Sequence, residues 1–440
     1  MKRKYIEYVA GTCFCLLLLF IVYTGCSLDV TNPNSASEEQ VLTTQEGLQA
    51  VGVAMQSFYA TTSLEAYVLF TGTTSREVAI NTTFQNLIDL EAGGNQLDGN
   101  NGNVAAVWAR SYRVIRMASD LLENVPNVQM AAGTRSGLIA LASLYKAMAL
   151  GALAQAFEQA PLDVQAEGQA DFQPRSELLA EAIQLCNDGL AEIDAQAPSS
   201  AFNANVLGSG FDLRNTLQAY RARYNLFAGN NQQAIEAANA VDPNATSVFT
   251  YDALNTNPIY DAVFIAEDWA PRDDFGVTVT EPGDGRLTFY MVPKDTLSDP
   301  NGLQVEELAG FFATQTSPIP AYLPGEMPLI RAEAMLNEGD IPGAITEINS
   351  VRTKTAAEDP FGVGAGLAEY SGPQTEEAVR EEIFRQRRAE LFLSGVSLED
   401  SRRLDRPGPS SDPFQRNRNF YPYPTQERLN NPNTPADPAN

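Results

Sequence analysis

The chain has 440 residues, of which 44% are hydrophobic, enough for one large domain or for two to three smaller ones. It carries 29 basic and 55 acidic residues, a net charge of −26, so nucleic acid is not an expected partner. It contains no histidine, which excludes Ser-His-Asp, Cys-His and His-Glu-x-x-His chemistry. Any catalysis would have to use carboxylates, tyrosine, lysine or arginine.

The N-terminus has the layout of a secretory signal peptide. Three basic residues within the first four positions precede an apolar stretch of roughly 14 residues, too short to cross a ~30 Å hydrocarbon core comfortably. The stretch ends at residues 23–26, Tyr-Thr-Gly-Cys, which resemble the lipobox of bacterial lipoproteins. We therefore predict a signal peptide over 1–25, lipidation of Cys26 and a polar tether over 26–45. The alternatives are a secreted protein with a free cysteine and an uncleaved anchor.

Hydrophobic spacing predicts helices through most of the mature chain. The clearest cover residues 46–59, 104–125, 135–158 and 176–193. Strand-like alternation is limited to short pieces such as 262–265 and 287–292. The predicted fold class is therefore mainly α, with long irregular loops and minor β structure.

Two segments of the chain are similar to each other at an offset of 339 − 229 = 110 positions. The same residue types stand at positions 222 and 332, 226 and 336, 229 and 339, 234 and 344, and 235 and 345. Each segment is typical of a helix, a glycine turn and a second helix, and the spacing resembles tetratricopeptide repeats. We predict a single helical-repeat domain over 46–440; a coincidental pair of antiparallel helices is the alternative.

Three motifs occupy the C-terminal third. Residues 328–352 end in Ile-Asn-Ser-Val-Arg, residues 382–404 contain Arg-Arg-x-Glu-Leu and then Asp-x-Arg-Arg, and residues 420–433 contain Pro-x-x-Glu and Asn-Pro-Asn. Together with the lipobox they resemble the SusD/RagB lipoproteins of Bacteroidetes-type outer membranes, over essentially the whole mature chain. Gln386 and Ser394 stand where that family usually has glutamate.

The charged cluster within the second motif is interpreted as structural. Arg387, Arg388 and Glu390 lie on one predicted helix, and nearby carboxylates are available to pair with the arginines. None of the three motifs is a catalytic signature.

The resemblance implies a cell-surface lipoprotein of the outer membrane, held there by lipidated Cys26. Such a protein covers a SusC-like TonB-dependent transporter as a lid and passes it a glycan, an oligosaccharide or another nutrient. The resemblance implies no catalysis, and we predict neither a cofactor nor a resident metal. One alternative is a helical-repeat scaffold lipoprotein for envelope protein assembly that binds no small molecule. The other is a glycosidase that uses paired carboxylates.

Two long irregular regions, about 61–103 and 244–328, form the predicted ligand surface. The resemblance transfers no fixed ligand motif, so candidates are chosen by residue type: aromatic faces that stack on sugars, and amide or charged groups that reach hydroxyls. They are Arg76, Asn81, Phe84 and Asn86 in the first region, and Asp268, Trp269, Arg272 and Tyr290 in the second. A packing role is the alternative for each.

Overall fold

Helices make up most of the protein, as the hydrophobic spacing predicts. The computed structural model describes residues 41–164, 168–276, 281–293 and 302–439. The signal peptide, Cys26 and most of the predicted tether lie outside the described residues. The α-helices are α1 (Gln45–Phe58), α2 (Thr71–Thr74), α3 (Gln85–Ala92), α4 (Gly102–Asn124), α5 (Ala132–Ala156), α6 (Arg175–Ala195), α7 (Ser200–Phe202), α8 (Leu213–Phe227), α9 (Asn231–Asn239), α10 (Pro258–Tyr260), α11 (Gly285–Tyr290), α12 (Glu326–Asn337), α13 (Ile341–Arg352), α14 (Glu376–Glu390), α15 (Ser397–Arg403) and α16 (Thr425–Asn430).

The described strands are short and pair two by two. In chain order they are β1 (Val78–Ile80), β2 (Gln159–Ala160), β3 (Gln173–Pro174), β4 (Val248–Phe249), β5 (Trp269–Pro271), β6 (Met291–Val292), β7 (Glu307–Leu308) and β8 (Ile319–Pro320). The antiparallel pairs are β1 with β5, β2 with β3, β4 with β8 and β6 with β7. The β1–β5 pair joins the two regions that the sequence predicts to be irregular. For the first region that prediction is wrong in part, because residues 61–74 are helical and continue α1, and residues 85–92 form α3.

The two sequence repeats are helical hairpins, which confirms that prediction. Helices α8 and α9 form the first hairpin, and α12 and α13 form the second. Their turn residues, Gly229 and Gly339, have φ values of 78° and 86°, the left-handed conformation that glycine adopts at low cost. Buried Ala234 packs in one apolar cluster with Ile330 of the second hairpin, and buried Ala344 packs in another that includes α14. The hairpins therefore stack as repeats do.

Helix α5 is the central core helix. Its alanine-rich and leucine-rich sequence is buried on nearly all sides, and α4 and α6 pack against it. Among the described residues it alone is long and apolar enough to cross a membrane, and 94% of its most apolar window is buried within the protein. That burial is typical of a helix in a protein core.

A buried ion pair joins the two hairpins. Arg223 on α8 is 5% exposed, and Glu326 at the start of α12 is fully buried. The Nε and Nη2 atoms of Arg223 donate to the two carboxylate oxygens at 2.7 and 2.6 Å. Burial alone would lower the pKa of Arg223, but the Glu326 carboxylate raises it well above its ordinary value.

The charged cluster of the second C-terminal motif is structural, as predicted. Arg387 is fully buried and binds both carboxylate oxygens of Asp400, at 2.9 and 3.0 Å. Arg388 donates to two backbone carbonyls from distant segments, at 2.8 and 2.7 Å. Glu390, also fully buried, accepts from Lys354. The cluster fixes α14 against its neighbours, and all three of its side chains are buried.

The two substituted positions of that motif have different environments. The Gln386 amide donates to Glu382 and accepts from Arg286, both at 2.8 Å, so it supplies a donor that a glutamate would lack. Ser394 lines an interior cavity of about 50 Å³ among tyrosine side chains.

On α15, burial alone would raise the pKa of Glu399, but three neighbouring arginines bring it down to about 2.

The C-terminal segment returns across the N-terminal half of the fold. The backbone N–H of Asn417 donates to the carbonyl of Thr74 at 3.0 Å, and that of Tyr421 donates to the carbonyl of Ala156 at 2.8 Å. The Tyr421 hydroxyl, fully buried, donates to the carbonyl of Phe70 at 2.9 Å. The last part of the chain therefore completes the core around its first helices.

One of the two predicted strand pieces is wrong, and the other is correct only at its end. Residues 262–265 belong to the π-helical turn Asp261–Ile265, which continues α10 because the Asn257 amide oxygen caps that helix. Within residues 287–292, the first four belong to α11, capped by Asp284, and only the last two are extended as β6. In both places a capping side chain captures backbone N–H groups, and the helix begins despite strand-like alternation.

Candidate functional site

An open cleft of about 570 Å³ lies where the two irregular regions meet. That volume falls within the usual range of small-molecule sites. The polar side chains that line it are those of Thr61, Glu65, Thr256, Asp261, Asp268 and Gln315. The apolar lining includes Pro258, Ile265 and Trp269. The mixture of hydroxyl, carboxylate, amide and apolar groups can hold a hydroxyl-rich molecule.

Two π-helical turns form the walls of the cleft. Thr61 lies in the turn Tyr59–Ser63, and Asp261 lies in the turn Asp261–Ile265. A π-helical turn inserts one extra residue per hydrogen-bonded ring, which changes the direction of the side chains around it, and such turns occur frequently at functional sites. Both turns contribute residues to the lining of this cleft, whereas two other described π-helical turns, Ala66–Phe70 and Asn203–Leu207, do not.

Asn257 holds the second wall in place. It is fully buried, and its amide nitrogen donates to the carbonyls of Phe311 and Ser317, at 3.0 and 2.9 Å. Its backbone N–H donates to the carbonyl of Gln315 at 2.8 Å, while its amide oxygen caps α10. One side chain therefore connects the helical wall to the segment that carries Gln315.

The cleft is acidic. Glu65 is paired with Arg110, whose Nη1 lies 2.7 Å from its Oε2. Asp261 accepts a hydrogen bond from the Thr256 hydroxyl, and Asp268 lines the same cleft. No basic residue is present among the described side chains that line the cleft. The described side chains that line the cleft therefore carry a net negative charge when Glu65 and Arg110 are counted as a neutral pair.

Two of the eight predicted ligand residues line this cleft, Asp268 and Trp269. Trp269 is 5% exposed; its indole N–H donates to the Thr73 hydroxyl at 3.1 Å, and its ring stacks on Phe70 at 5.9 Å between centroids. With so little of its surface exposed, it offers the cleft little aromatic area for stacking. Recognition of a ligand here therefore depends on the polar side chains more than on aromatic stacking.

Three predicted residues are exposed but lie outside the cleft lining. The Asn81 amide donates to the carbonyl of Glu267 at 3.2 Å, beside Asp268. Phe84 occupies the position just before α3, where its side chain makes no capping hydrogen bond, and is 59% exposed. Asn86 is exposed, and its carbonyl accepts hydrogen bonds from two asparagine side chains. Contact of these residues with a ligand stays a prediction.

The remaining three, Arg76, Arg272 and Tyr290, are core residues in the structure. Both arginines are at most 5% exposed and donate to the carbonyls of Gln415 and Pro413, at 3.0 and 2.9 Å. Tyr290 is fully buried, and its hydroxyl donates to a backbone carbonyl of α14 at 3.2 Å. Arg272 also lies 3.6 Å from an Asp273 carboxylate oxygen, so all three side chains have structural partners within the fold.

Sequence reasoning missed most of the cleft. Thr61, Glu65, Thr256, Asp261 and Gln315 are common polar residues in loop-like sequence, and nothing in their spacing distinguishes them. The capping pattern of Asn257 before Pro258 was the available signal, because asparagine before proline commonly begins a helix. Among the described residues, no group of three or more His, Cys, Asp or Glu side chains could hold a metal ion.

Comparison with known proteins identifies the fold. No protein-family model matches the sequence, and no curated protein matches it either. Solved structures, in contrast, do match it. A SusD superfamily protein from Bacteroides thetaiotaomicron VPI-5482 superposes with a TM-score of 0.70 at 16% identity, covering 90% of this chain and 100% of the other. The chain has the SusD-like fold.

Two further structures support the same fold. A SusD-like carbohydrate binding protein from Bacteroides vulgatus ATCC 8482 has a TM-score of 0.68 at 16% identity, covering 89% of this chain and 97% of that one. A SusD-like carbohydrate binding protein from Bacteroides fragilis NCTC 9343 has a TM-score of 0.61 at 13% identity, covering 89% and 99%. The SusD-like fold thus extends over nearly the whole of each protein, although few residues are identical.

Proposed function

We propose that this protein is a glycan-binding lipoprotein of the SusD/RagB type and that the cleft between the two π-helical turns is its ligand site. The observation that carries the proposal is the cleft itself, in which Thr256, Asp261, Asp268 and Gln315 converge on about 570 Å³ of open volume. Hydroxyl, carboxylate and amide groups are those that hydrogen-bond to sugar hydroxyls. Structures with the same fold that are described as carbohydrate binding proteins support this choice of ligand.

The binding test uses the soluble chain from residue 27 onward and a panel of polysaccharides in affinity electrophoresis and calorimetry. We expect saturable binding to at least one glycan, and weaker binding after Asp268→Ala or Thr256→Ala. Asp188→Ala is the matched control, because Asp188 is an exposed acid on α6 away from the cleft. Absence of binding across the panel, or equal loss in the control, contradicts the assignment of the site.

The same assay separates binding from hydrolysis. A binding protein leaves the glycan chain length unchanged, whereas a glycosidase releases new reducing ends. Asp261 and Asp268 are the carboxylates of the cleft that a hydrolytic mechanism would have available. Turnover that disappears on replacing both of them would replace the binding proposal with an enzymatic one.

The proposed location is the outer membrane, with lipidated Cys26 as the anchor and a SusC-like TonB-dependent transporter as the partner. The lipobox supports the anchor, and the SusD-like fold supports the partner. Two or more acyl chains give stable membrane attachment, since each buried methylene adds about 0.8 kcal/mol. Cys26→Ser is therefore expected to release the protein from the membrane fraction, whereas Cys186→Ser, at a buried cysteine of α6, retains it.

The partner is tested by mild solubilisation of membranes that carry the anchored protein, followed by affinity purification. We expect a TonB-dependent barrel to co-purify in a fixed ratio. Recovery of envelope assembly factors instead, together with silence towards glycans, favours the scaffold alternative.

A further inference from the structure

The charge of the cleft narrows the class of glycan that it can hold. This inference rests on the proposed function and goes beyond it by naming the substrate class. Glu65 is neutralised by Arg110, but Asp261 and Asp268 have no cationic partner among the described ion pairs and line the same open volume. Any ligand that fills the cleft therefore lies close to two carboxylates.

Sugar hydroxyls and anionic sugar groups interact with these carboxylates in opposite ways. A hydroxyl can donate to a carboxylate oxygen and form a charge-assisted hydrogen bond. A uronate or a sulfate group only accepts hydrogen bonds, and it repels the carboxylates. For an anionic sugar group about 7 Å from a carboxylate, Coulomb repulsion weakens binding by about threefold at an effective dielectric constant of about 80. At an effective dielectric constant of about 20 it weakens binding by about fiftyfold, and each carboxylate contributes such a factor.

The charge of the whole protein acts in the same direction but can be separated from that of the cleft. The net charge of −26 is spread over the chain, and salt screens exposed charges beyond a Debye length of about 8 Å at physiological ionic strength. Partly buried charges that face a ligand directly are screened less. A difference in affinity between neutral and anionic glycans that persists in high salt therefore arises in the cleft.

We propose that this cleft selects neutral glycans and rejects anionic ones, with Asp261 and Asp268 as the residues that determine the selectivity. The polar groups that a neutral chain meets are the two carboxylates, the Gln315 amide and the Thr61 and Thr256 hydroxyls. Both hydroxyls already donate within the protein, so they are left as acceptors.

The test pairs each neutral polysaccharide with its own anionic derivative, namely starch with carboxymethyl starch, mannan with carboxymethyl mannan, and inulin with carboxymethyl inulin. Binding is measured with the soluble chain in the presence of EDTA, which removes divalent cations that could bridge two anions. We expect the carboxymethyl derivative to bind at least tenfold more weakly than its parent. The difference should persist at about 1 M salt, where the Debye length is about 3 Å.

Charge-neutral variants locate the effect. We expect Asp261→Asn with Asp268→Asn to reduce the discrimination to less than about threefold, and Asp268→Asn alone to reduce it part of the way. Asp188→Asn, the exposed control on α6, should leave it unchanged. If the double variant is unstable, the single variant and the salt series still decide the question.

The possible failures are distinguishable. If neutral glycans bind but their carboxymethyl derivatives bind equally well or better, the selectivity is overturned and the proposed function stands. If discrimination is unchanged in the variants or disappears in high salt, the two aspartates are not its source and the inference fails. If neither member of any pair binds, both proposals fall.

Discussion

Removing the charge of Glu326 provides the sharpest test of how the stacked hairpins are held together. Glu326 and Arg223 are both buried and form two hydrogen bonds, so Glu326→Gln leaves an arginine charge without a counter-ion inside the protein. Two unit charges about 4 Å apart, at an effective dielectric constant of about 20, interact by about 4 kcal/mol. Removing one partner of a buried pair typically costs about 3–5 kcal/mol. We therefore expect the free energy of unfolding to fall by about that amount.

The same helix carries a matched control. Arg214, also on α8, pairs with Asp194, and the side chains of that pair are 45% and 66% exposed. Because exposed pairs contribute about 0–1 kcal/mol, Asp194→Asn should change the unfolding free energy by less than about 1 kcal/mol.

The assay is urea denaturation of the soluble chain, followed by far-ultraviolet circular dichroism and by intrinsic fluorescence. Coincidence of the two curves establishes that unfolding is close to two-state. Arg223→Met combined with Glu326→Leu removes both charges and should recover much of the loss. If Glu326→Gln and Asp194→Asn lose equal amounts, burial does not make the Arg223 pair stronger and the reasoning is refuted.

Three further predictions concern stability. Gly229→Ala and Gly339→Ala should each lower the free energy of unfolding by about 1–2 kcal/mol in the same urea assay. The added Cβ meets no atom within 4 Å, so the cost arises only from the left-handed backbone conformation. Asparagine at either position should cost less, because it tolerates that conformation better than alanine does. Glu399 has a pKa of about 2 in the fold, below its ordinary 4.5, so its contribution is complete above pH 4.5 and is lost as the pH falls towards 2. Glu399→Gln should therefore flatten the acid limb of stability against pH, and an unchanged limb would contradict this. Gln386→Glu should destabilise the fold by about 1–3 kcal/mol, although glutamate is the residue usual in SusD/RagB proteins. The substitution places a second carboxylate against Glu382 and removes the amide donor. A rise in melting temperature would contradict this prediction.

The helices were predictable because their apolar residues repeat at helical spacing. The predicted helix over residues 135–158 corresponds to α5, and the glycine turns at 229 and 339 lie where the repeat indicates. These features depend on local pattern, which a single sequence contains. The stacking of the hairpins follows from them, since each hairpin has an apolar stripe that only a neighbour can bury.

The site was predictable only in part. Asp268 and Trp269 could be chosen as polar and aromatic residues of an irregular region, and the structure places both at the cleft. Arg76 was chosen as a charged residue in a loop, but distant backbone carbonyls surround it, and no local pattern records that environment. The π-helical turns around Thr61 and Asp261 have the composition of ordinary helix or loop, so the sequence does not mark the wall that they form.

The late return of the C-terminal segment has a consequence for biogenesis. The carbonyls of Phe70, Thr74 and Ala156 accept hydrogen bonds from residues 417–421, so a nascent polypeptide that still lacks these residues cannot make those contacts. These tertiary contacts therefore form only after residues 417–421 have been synthesised. For the export that the proposed lipoprotein location requires, such a delay is an advantage, because a polypeptide that folds early cannot pass through a secretion channel in an extended form.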